Sequence, residues 1–287
     1  MNPFKDTKPM SYTLSNRRAL FLGRPLLVAF VAAVTALTAL WLAFGRLKGA
    51  ERDHALERGA AWLHRPNDSH STALVWFVTR AAARDRSKSL ADLARTMKEN
   101  AISDPLARLI GKSPTDLSLI GAGTSDTAVA VEPHPIDQLV SAVADCATDA
   151  DAATRLWSFL DEHHSDYLLT HQVLFSLWAE ELGCGLPASA RARRDALLSQ
   201  VHSALRDNPT YSDLFVEQMA VLQLAGREAW VESEWIDTLV SHQSRDGSWE
   251  SPVEHTTLSY KGRTIEQVLD PVHVTTLAIS ALAHYRG

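Results

Sequence analysis

Two histidines on apolar helical segments are the side chains best suited to chemistry. His171 lies in a strongly hydrophobic run, with Phe175 four residues later on the same side of a predicted helix. His273 shares a stripe with Thr276, and this polar strip is typical of a helix face that lines a cavity. Imidazole serves as a general acid, a general base or a metal ligand. These histidines therefore define a candidate site.

The predicted ligand pocket adds further polar side chains to the two histidines. Its candidate lining residues are His171, His273, Thr276, Asp270 and His255. The alternative interpretation is that the histidines belong to the core and are hydrogen-bonded to threonine or to backbone groups. The residues alone leave both interpretations open.

Zinc is the metal that this chemistry suggests. It takes His, Cys and carboxylate ligands in tetrahedral sets, so His171, Cys184 and His273 form a candidate ligand set. Their spacing matches no established zinc motif. The spacing of these residues therefore predicts no cofactor, and zinc binding is a hypothesis that rests on the ligand types. Cys184 and Cys146 have two alternatives, one disulfide bridge or two buried thiols.

Amphipathic helices must position these side chains. Hydrophobic residues recur with a helical period almost to the C-terminus, few segments alternate as strands do, and the predicted fold class is all-α. Segments 165–182 and 272–285 are apolar around most of their circumference, which predicts two layers of helices. The predicted helices are 136–146, 151–163, 165–182, 188–206, 211–225, 228–243 and 271–285, with a long polar connection over 244–270.

A short motif precedes the last helix. The run QSRDGSW contains Gln243, Asp246, Gly247 and Trp249. Gln243 can cap a helix end, Asp246 and Gly247 can form a turn, and the large ring of Trp249 can close over a helix end. The run resembles the repeats of the α/α toroid superfamily, which includes terpenoid (triterpene) cyclases, protein prenyltransferase β-subunits and complement-like thioester domains. The resemblance covers about residues 151–287 and implies alternating outer and inner helices, with 270–285 as an inner helix.

The catalytic motifs of that superfamily are missing from this sequence. The resemblance implies an Asp-rich acid motif, a diphosphate-binding D-D-x-x-D, a zinc-binding Asp-x-Cys or a Cys-Gly-Glu-Gln thioester, and none is present. The body is also too short for a closed ring of helical hairpins. The expected architecture is therefore a partial α/α toroid-like domain. The resemblance implies this fold, but it does not imply a catalytic activity.

An uncharged run near the N-terminus favours a membrane span. Residues 25–45 contain no charged side chain in 21 positions, enough for a helix of roughly 30 Å. Five basic residues precede the run and five follow it by residue 65, so the positive-inside rule gives almost a tie. A short tail before a large domain favours a cytoplasmic N-terminus and an extracytoplasmic body. We therefore predict an uncleaved, single-pass signal anchor in the cell membrane.

Charge and boundaries complete the prediction. The net charge is −6, but residues 1–24 carry five basic residues against one acidic residue, which leaves −10 on the remainder. This balance argues against nucleic acid as a partner. The predicted regions are a basic cytoplasmic tail (1–24), a transmembrane helix (25–45), N-terminal helices (46–110), a long loop (111–135) and the toroid-like region (136–287).

Two functions are compatible with these features. The first is a membrane-anchored helical scaffold or binding module for a peptide, a protein or a small apolar ligand. The alternative is an enzyme of terpenoid cyclase or prenyltransferase-like fold, acting on an isoprenoid or peptide substrate with zinc.

Overall fold

The computed structural model describes residues 24–64, 70–102, 104–112 and 134–286. Helix dominates: α-helices make up 68% of the described residues, where an antiparallel two-stranded sheet is the only other regular element besides short 3₁₀ turns. This confirms the all-α prediction. The helices are α1 (Arg24–Leu63), α2 (Thr72–Asp85), α3 (Lys88–Glu99), α4 (Pro135–Asp145), α5 (Ala150–Asp161), α6 (Asp166–Glu181), α7 (Ala188–Asp207), α8 (Asp213–Leu224), α9 (Ser233–Ser241) and α10 (Pro271–His284), and the strands are β1 (His255–Tyr260) and β2 (Arg263–Val268).

The first helix corrects the membrane prediction. Within the described ranges, no helix combines the length and the apolar composition that crossing a membrane requires. The predicted transmembrane helix over 25–45 is therefore wrong, and so are the single-pass signal anchor and the cell-membrane localisation with a cytoplasmic N-terminus and an extracytoplasmic body. The prediction treated the uncharged run as a complete element. In the structure it is one part of a 40-residue helix whose later turns contain Lys48, Glu51 and Arg52.

The chain divides into two compact units, residues 1–48 and residues 49–287, and α1 contributes to both. Residues 1–23 of the predicted basic tail and 113–133 of the predicted long loop lie outside the described residues. The candidate site belongs entirely to the second unit.

Two kinds of helix build the second unit. The helices α6, α8 and α10 bury side chains on most of their circumference, whereas α3, α7 and α9 bury one face. α10 packs against α2 and α8, and α6 packs against α7 and α8. Small residues such as Ala278 and Ala281 let neighbouring helices approach α10 closely, and both are fully buried. The apolar composition of these helices thus places them at the centre of the unit.

Local capping signals decide where the central helices begin. The Ser212 hydroxyl accepts a hydrogen bond from the Phe215 N–H at the start of α8, at 3.1 Å. Asp270 accepts one from the His273 N–H at 2.7 Å, and Pro271 follows at the first helical position of α10. These caps hold the first turns of α8 and α10, which carry the site.

The QSRDGSW motif lies against the second half of α1. Gln243 Nε2 donates to the carbonyls of Ala55 and Gly247, at 2.8 and 2.9 Å. Asp246 accepts from the Trp62 indole at 3.0 Å. Trp249 is fully buried, and its indole donates to the Leu239 carbonyl at 2.8 Å. The motif joins α1, α9 and the chain leading to α10.

Gly247 is the position in this motif that requires glycine. Its φ is +101°, and a Cβ added there would lie 2.6 Å from the Arg58 carbonyl oxygen. Gly247→Ala is expected to lower the free energy of unfolding by about 2 kcal/mol, measured by guanidinium unfolding. Gly183→Ala is the matched control because its φ is also positive but a Cβ would meet nothing within 4 Å. We expect the smaller loss there, and equal losses in both variants would contradict a role for the Arg58 contact.

The predicted polar connection 244–270 contains a β-hairpin. Lys261 and Gly262 have φ of +49° and +72°, as a tight hairpin turn requires. Leu258 and Tyr260 are buried on one face of β1. The alternation in this strand is short, which explains why the sequence indicated only a connection.

The two cysteines form a disulfide between the end of α4 and the segment after α6. Cys146 and Cys184 are both buried. This pairing decides between the two alternatives left by the sequence.

Candidate functional site

A cluster of titratable side chains lies where the first turns of α8 and α10 meet. Asp213 and Glu217 are four residues apart on α8, and therefore share a face, while His273 comes from α10. One ligand atom from each residue lies within 4.8 Å of the other two. The second turn of α6, with Thr170 and His171, borders the cluster.

Asp213 is the least satisfied member of the cluster. Its side chain is 0% exposed, and neither carboxylate oxygen has a hydrogen-bond partner of normal geometry. His273 Nε2 lies 3.5 Å from Oδ1, and the Tyr167 hydroxyl is a further polar neighbour. Burial raises the pKa of Asp213, while the charge of His273 and the Tyr167 hydroxyl oppose that rise. A buried carboxylate with so little compensation favours a proton or a cation.

Glu217 is equally buried but better supported. Its Oε1 lies 2.5 Å from the Thr170 hydroxyl and 3.6 Å from His171 Nδ1. Burial first, and then the charge of Asp213, raise the pKa of Glu217 to about 7. Both effects disfavour the ionised carboxylate. The Glu217 carboxyl therefore releases its proton only near neutral pH, unless another positive charge replaces it.

His171 borders the acids with a defined tautomer. Its Nδ1 lies 2.6 Å from the Tyr167 carbonyl oxygen, and a carbonyl can only accept, so Nδ1 carries the hydrogen. Burial lowers the pKa of His171, which favours the neutral ring. Nε2 therefore keeps its lone pair and can accept a hydrogen bond or ligate a metal.

The structure brings some of the predicted site residues together and separates others. His171 and His273 meet at the acid pair, and Asp270 caps the helix that carries His273. Thr276 lies further along α10, fully buried, with its hydroxyl unpartnered. His255 lies on the hairpin, 3.6 Å from Glu266 Oε1.

The predicted zinc set of His171, Cys184 and His273 does not form a group. The Cys184 sulfur is bonded to Cys146 and is not available as a thiolate ligand. The sequence left the disulfide and the free thiols open, and the tertiary structure decides for the disulfide.

Asp213 and Glu217 are the site residues that the sequence analysis missed. Their signal was present, since two acids at i and i+4 lie in the mostly apolar helix DLFVEQMAVLQL. Buried acids in an apolar helix are rare without partners, so the pattern indicates a site.

No protein-family model, curated protein or solved structure matches this chain. The resemblance to the α/α toroid superfamily therefore stays a prediction.

The chemistry of the cluster suits a divalent cation. Carboxylate and imidazole groups are both ligands for zinc and other first-row metals. The His273 side chain is 25% exposed, so the site has an edge toward solvent.

Proposed function

We propose that this chain is a zinc-binding helical protein in which Asp213, Glu217 and His273 ligate the ion. The observation that carries the proposal is the Asp213 carboxylate, fully buried and without a hydrogen bond of normal geometry. A divalent cation would offset the repulsion between the two acids and supply the missing partner.

Three protein ligands leave one tetrahedral position open. Structural zinc sites fill all four positions with protein atoms, whereas catalytic sites keep one for water or substrate. A zinc ion here would polarise a bound carbonyl or lower the pKa of a bound water. This supports the enzyme alternative, with an isoprenoid or a peptide as the substrate class.

Neighbouring side chains would orient the ligands. The Thr170 hydroxyl contacts Glu217, and the Tyr167 hydroxyl is close to Asp213. Such outer contacts hold carboxylate ligands in one orientation and sharpen metal affinity. His171 lies beside the proposed ligand Glu217, with its Nδ1 3.6 Å from Glu217 Oε1.

Zinc titration of the full chain tests the proposal. Isothermal titration is expected to show one equivalent of bound zinc in the wild type. In Asp213→Asn the affinity is expected to fall at least about 100-fold, because the loss of a direct ligand costs no less than the loss of an outer-shell partner.

Asp161→Asn is the matched control because Asp161 is an exposed carboxylate on α5. Its zinc affinity should equal that of the wild type. Absence of stoichiometric zinc in the wild type, or equal affinity in Asp213→Asn, would refute the proposed site.

A further inference from the structure

A cavity lies near the C-terminal ends of α6, α8 and α10, away from the acid cluster. Its volume is about 310 Å³, at the lower end of the range for small-molecule sites. Gln223 on α8 contributes to its wall, and ten residues of helix place it about 15 Å from Asp213 along the axis. The cavity is therefore distinct from the acid cluster.

The charged groups of this cavity neutralise one another. Arg80 pairs with Glu181 at 2.5 Å, and Arg84 pairs with Glu228 at 2.7 Å. Glu181 also accepts from the Trp76 indole at 2.8 Å. Two cations and two anions leave no net charge on the lining, so a neutral ligand fits better than an ion.

Gln223 is the lining residue whose whole polar end remains unsatisfied, and Arg84 Nε also lacks a hydrogen-bond partner. The Gln223 side chain is 2% exposed, and both its carboxamide oxygen and its nitrogen lack a hydrogen-bond partner. A carboxamide presents a donor and an acceptor side by side. Buried groups of this kind normally have partners, so the missing partner points to a ligand with a matching pair of groups.

His284 adds an acceptor to the same cavity. Its Nδ1 lies 2.8 Å from the Ser280 carbonyl and therefore carries the hydrogen. Nε2 is then a lone-pair acceptor on a residue that lines the cavity. Trp76, Leu177 and Leu224 supply apolar wall surface around these polar groups.

We propose that this cavity binds a small, neutral, planar ligand with an amide-type edge, in which a donor and an acceptor lie side by side. Carboxamides and lactam-containing heterocycles have this edge. The Gln223 carboxamide would pair with it, and the apolar walls would cover the ring.

Benzamide, nicotinamide and uracil are suitable probes, and benzoate is the charged counterpart of benzamide. Ligand-observed NMR titration of the full chain is expected to show millimolar binding of at least one neutral probe, as fits a fragment of this size. Benzoate should bind at least tenfold more weakly than benzamide. Gln223→Leu should weaken the binding of the neutral probe at least tenfold.

The variants distinguish binding from folding. Gln223→Leu removes an unsatisfied buried carboxamide, so its thermal stability is expected to equal or exceed that of the wild type. Gln200→Leu makes the same change on the exposed surface of α7 and should leave binding unchanged. Asp213→Asn should also leave it unchanged, since that residue belongs to the other site. The proposal is overturned if no neutral probe binds, if benzoate binds as tightly as benzamide, or if Gln223→Leu retains wild-type affinity.

Discussion

Glu217→Gln will stabilise the metal-free protein by about 3 kcal/mol at pH 8. In the wild type, burial and the charge of Asp213 raise the pKa of Glu217 from 4.5 to about 7. The folded state therefore holds a proton that the unfolded state releases. This carboxyl contributes fully to stability below about pH 4.5, and its contribution is lost as the pH rises through 7. Glutamine has nearly the same shape but no charge to desolvate.

Guanidinium unfolding with a chelator present measures this effect. The wild type should lose stability relative to Glu217→Gln between about pH 4.5 and pH 8, and the two should be nearly equal at the acid end. Glu254→Gln changes an exposed glutamate and should show no such difference. A Glu217→Gln variant that is less stable than the wild type at pH 8 would show that the ionised carboxylate is satisfied without metal. Zinc should reverse the order, because it stabilises only a protein that retains the ligand.

Loss of the disulfide will destabilise the protein by about 4 kcal/mol. Cys146 and Cys184 are 38 residues apart, and opening that loop restores conformational freedom to the unfolded chain. The bridge also joins α4 to α6, the helix that carries Thr170 and His171. Cys146→Ala combined with Cys184→Ala replaces two buried sulfurs with small apolar side chains, which limits other losses.

Unfolding with and without a phosphine reductant tests this prediction. The reductant should lower the stability of the wild type and leave the double variant unchanged. Equal stability of the oxidised wild type and the double variant would contradict a stabilising role for the bridge.

Much of the helical architecture follows from local features. The segment predicted over 271–285 forms α10 over Pro271–His284, where Asp270 caps the helix and Pro271 is its first residue. The segment predicted over 165–182 forms α6 over Asp166–Glu181. These predictions succeed because periodicity and capping act within a few residues.

The errors arise where local pattern was taken for a complete element or a free group. The uncharged run 25–45 led to the prediction of a separate transmembrane helix, but the run is part of the longer α1. The hairpin of β1 and β2, with its turn at Lys261, was predicted only as a polar connection. Its strands contain too few alternating apolar and polar residues to indicate β structure. Cys184 was a candidate zinc ligand, but its sulfur is bonded to Cys146.

The sequence by itself determined the helices and marked His171 and His273 as side chains on buried faces. Only the tertiary structure decided that both histidines meet Asp213 and Glu217, because Asp213 and His273 are sixty residues apart in the chain. Helical periodicity specifies which face of each helix is buried, whereas packing between α6, α8 and α10 specifies which first turns meet. The tertiary structure identifies the acids as a candidate site because burial excludes water from the Asp213 carboxylate. The surrounding protein supplies too few hydrogen-bond donors to replace that water.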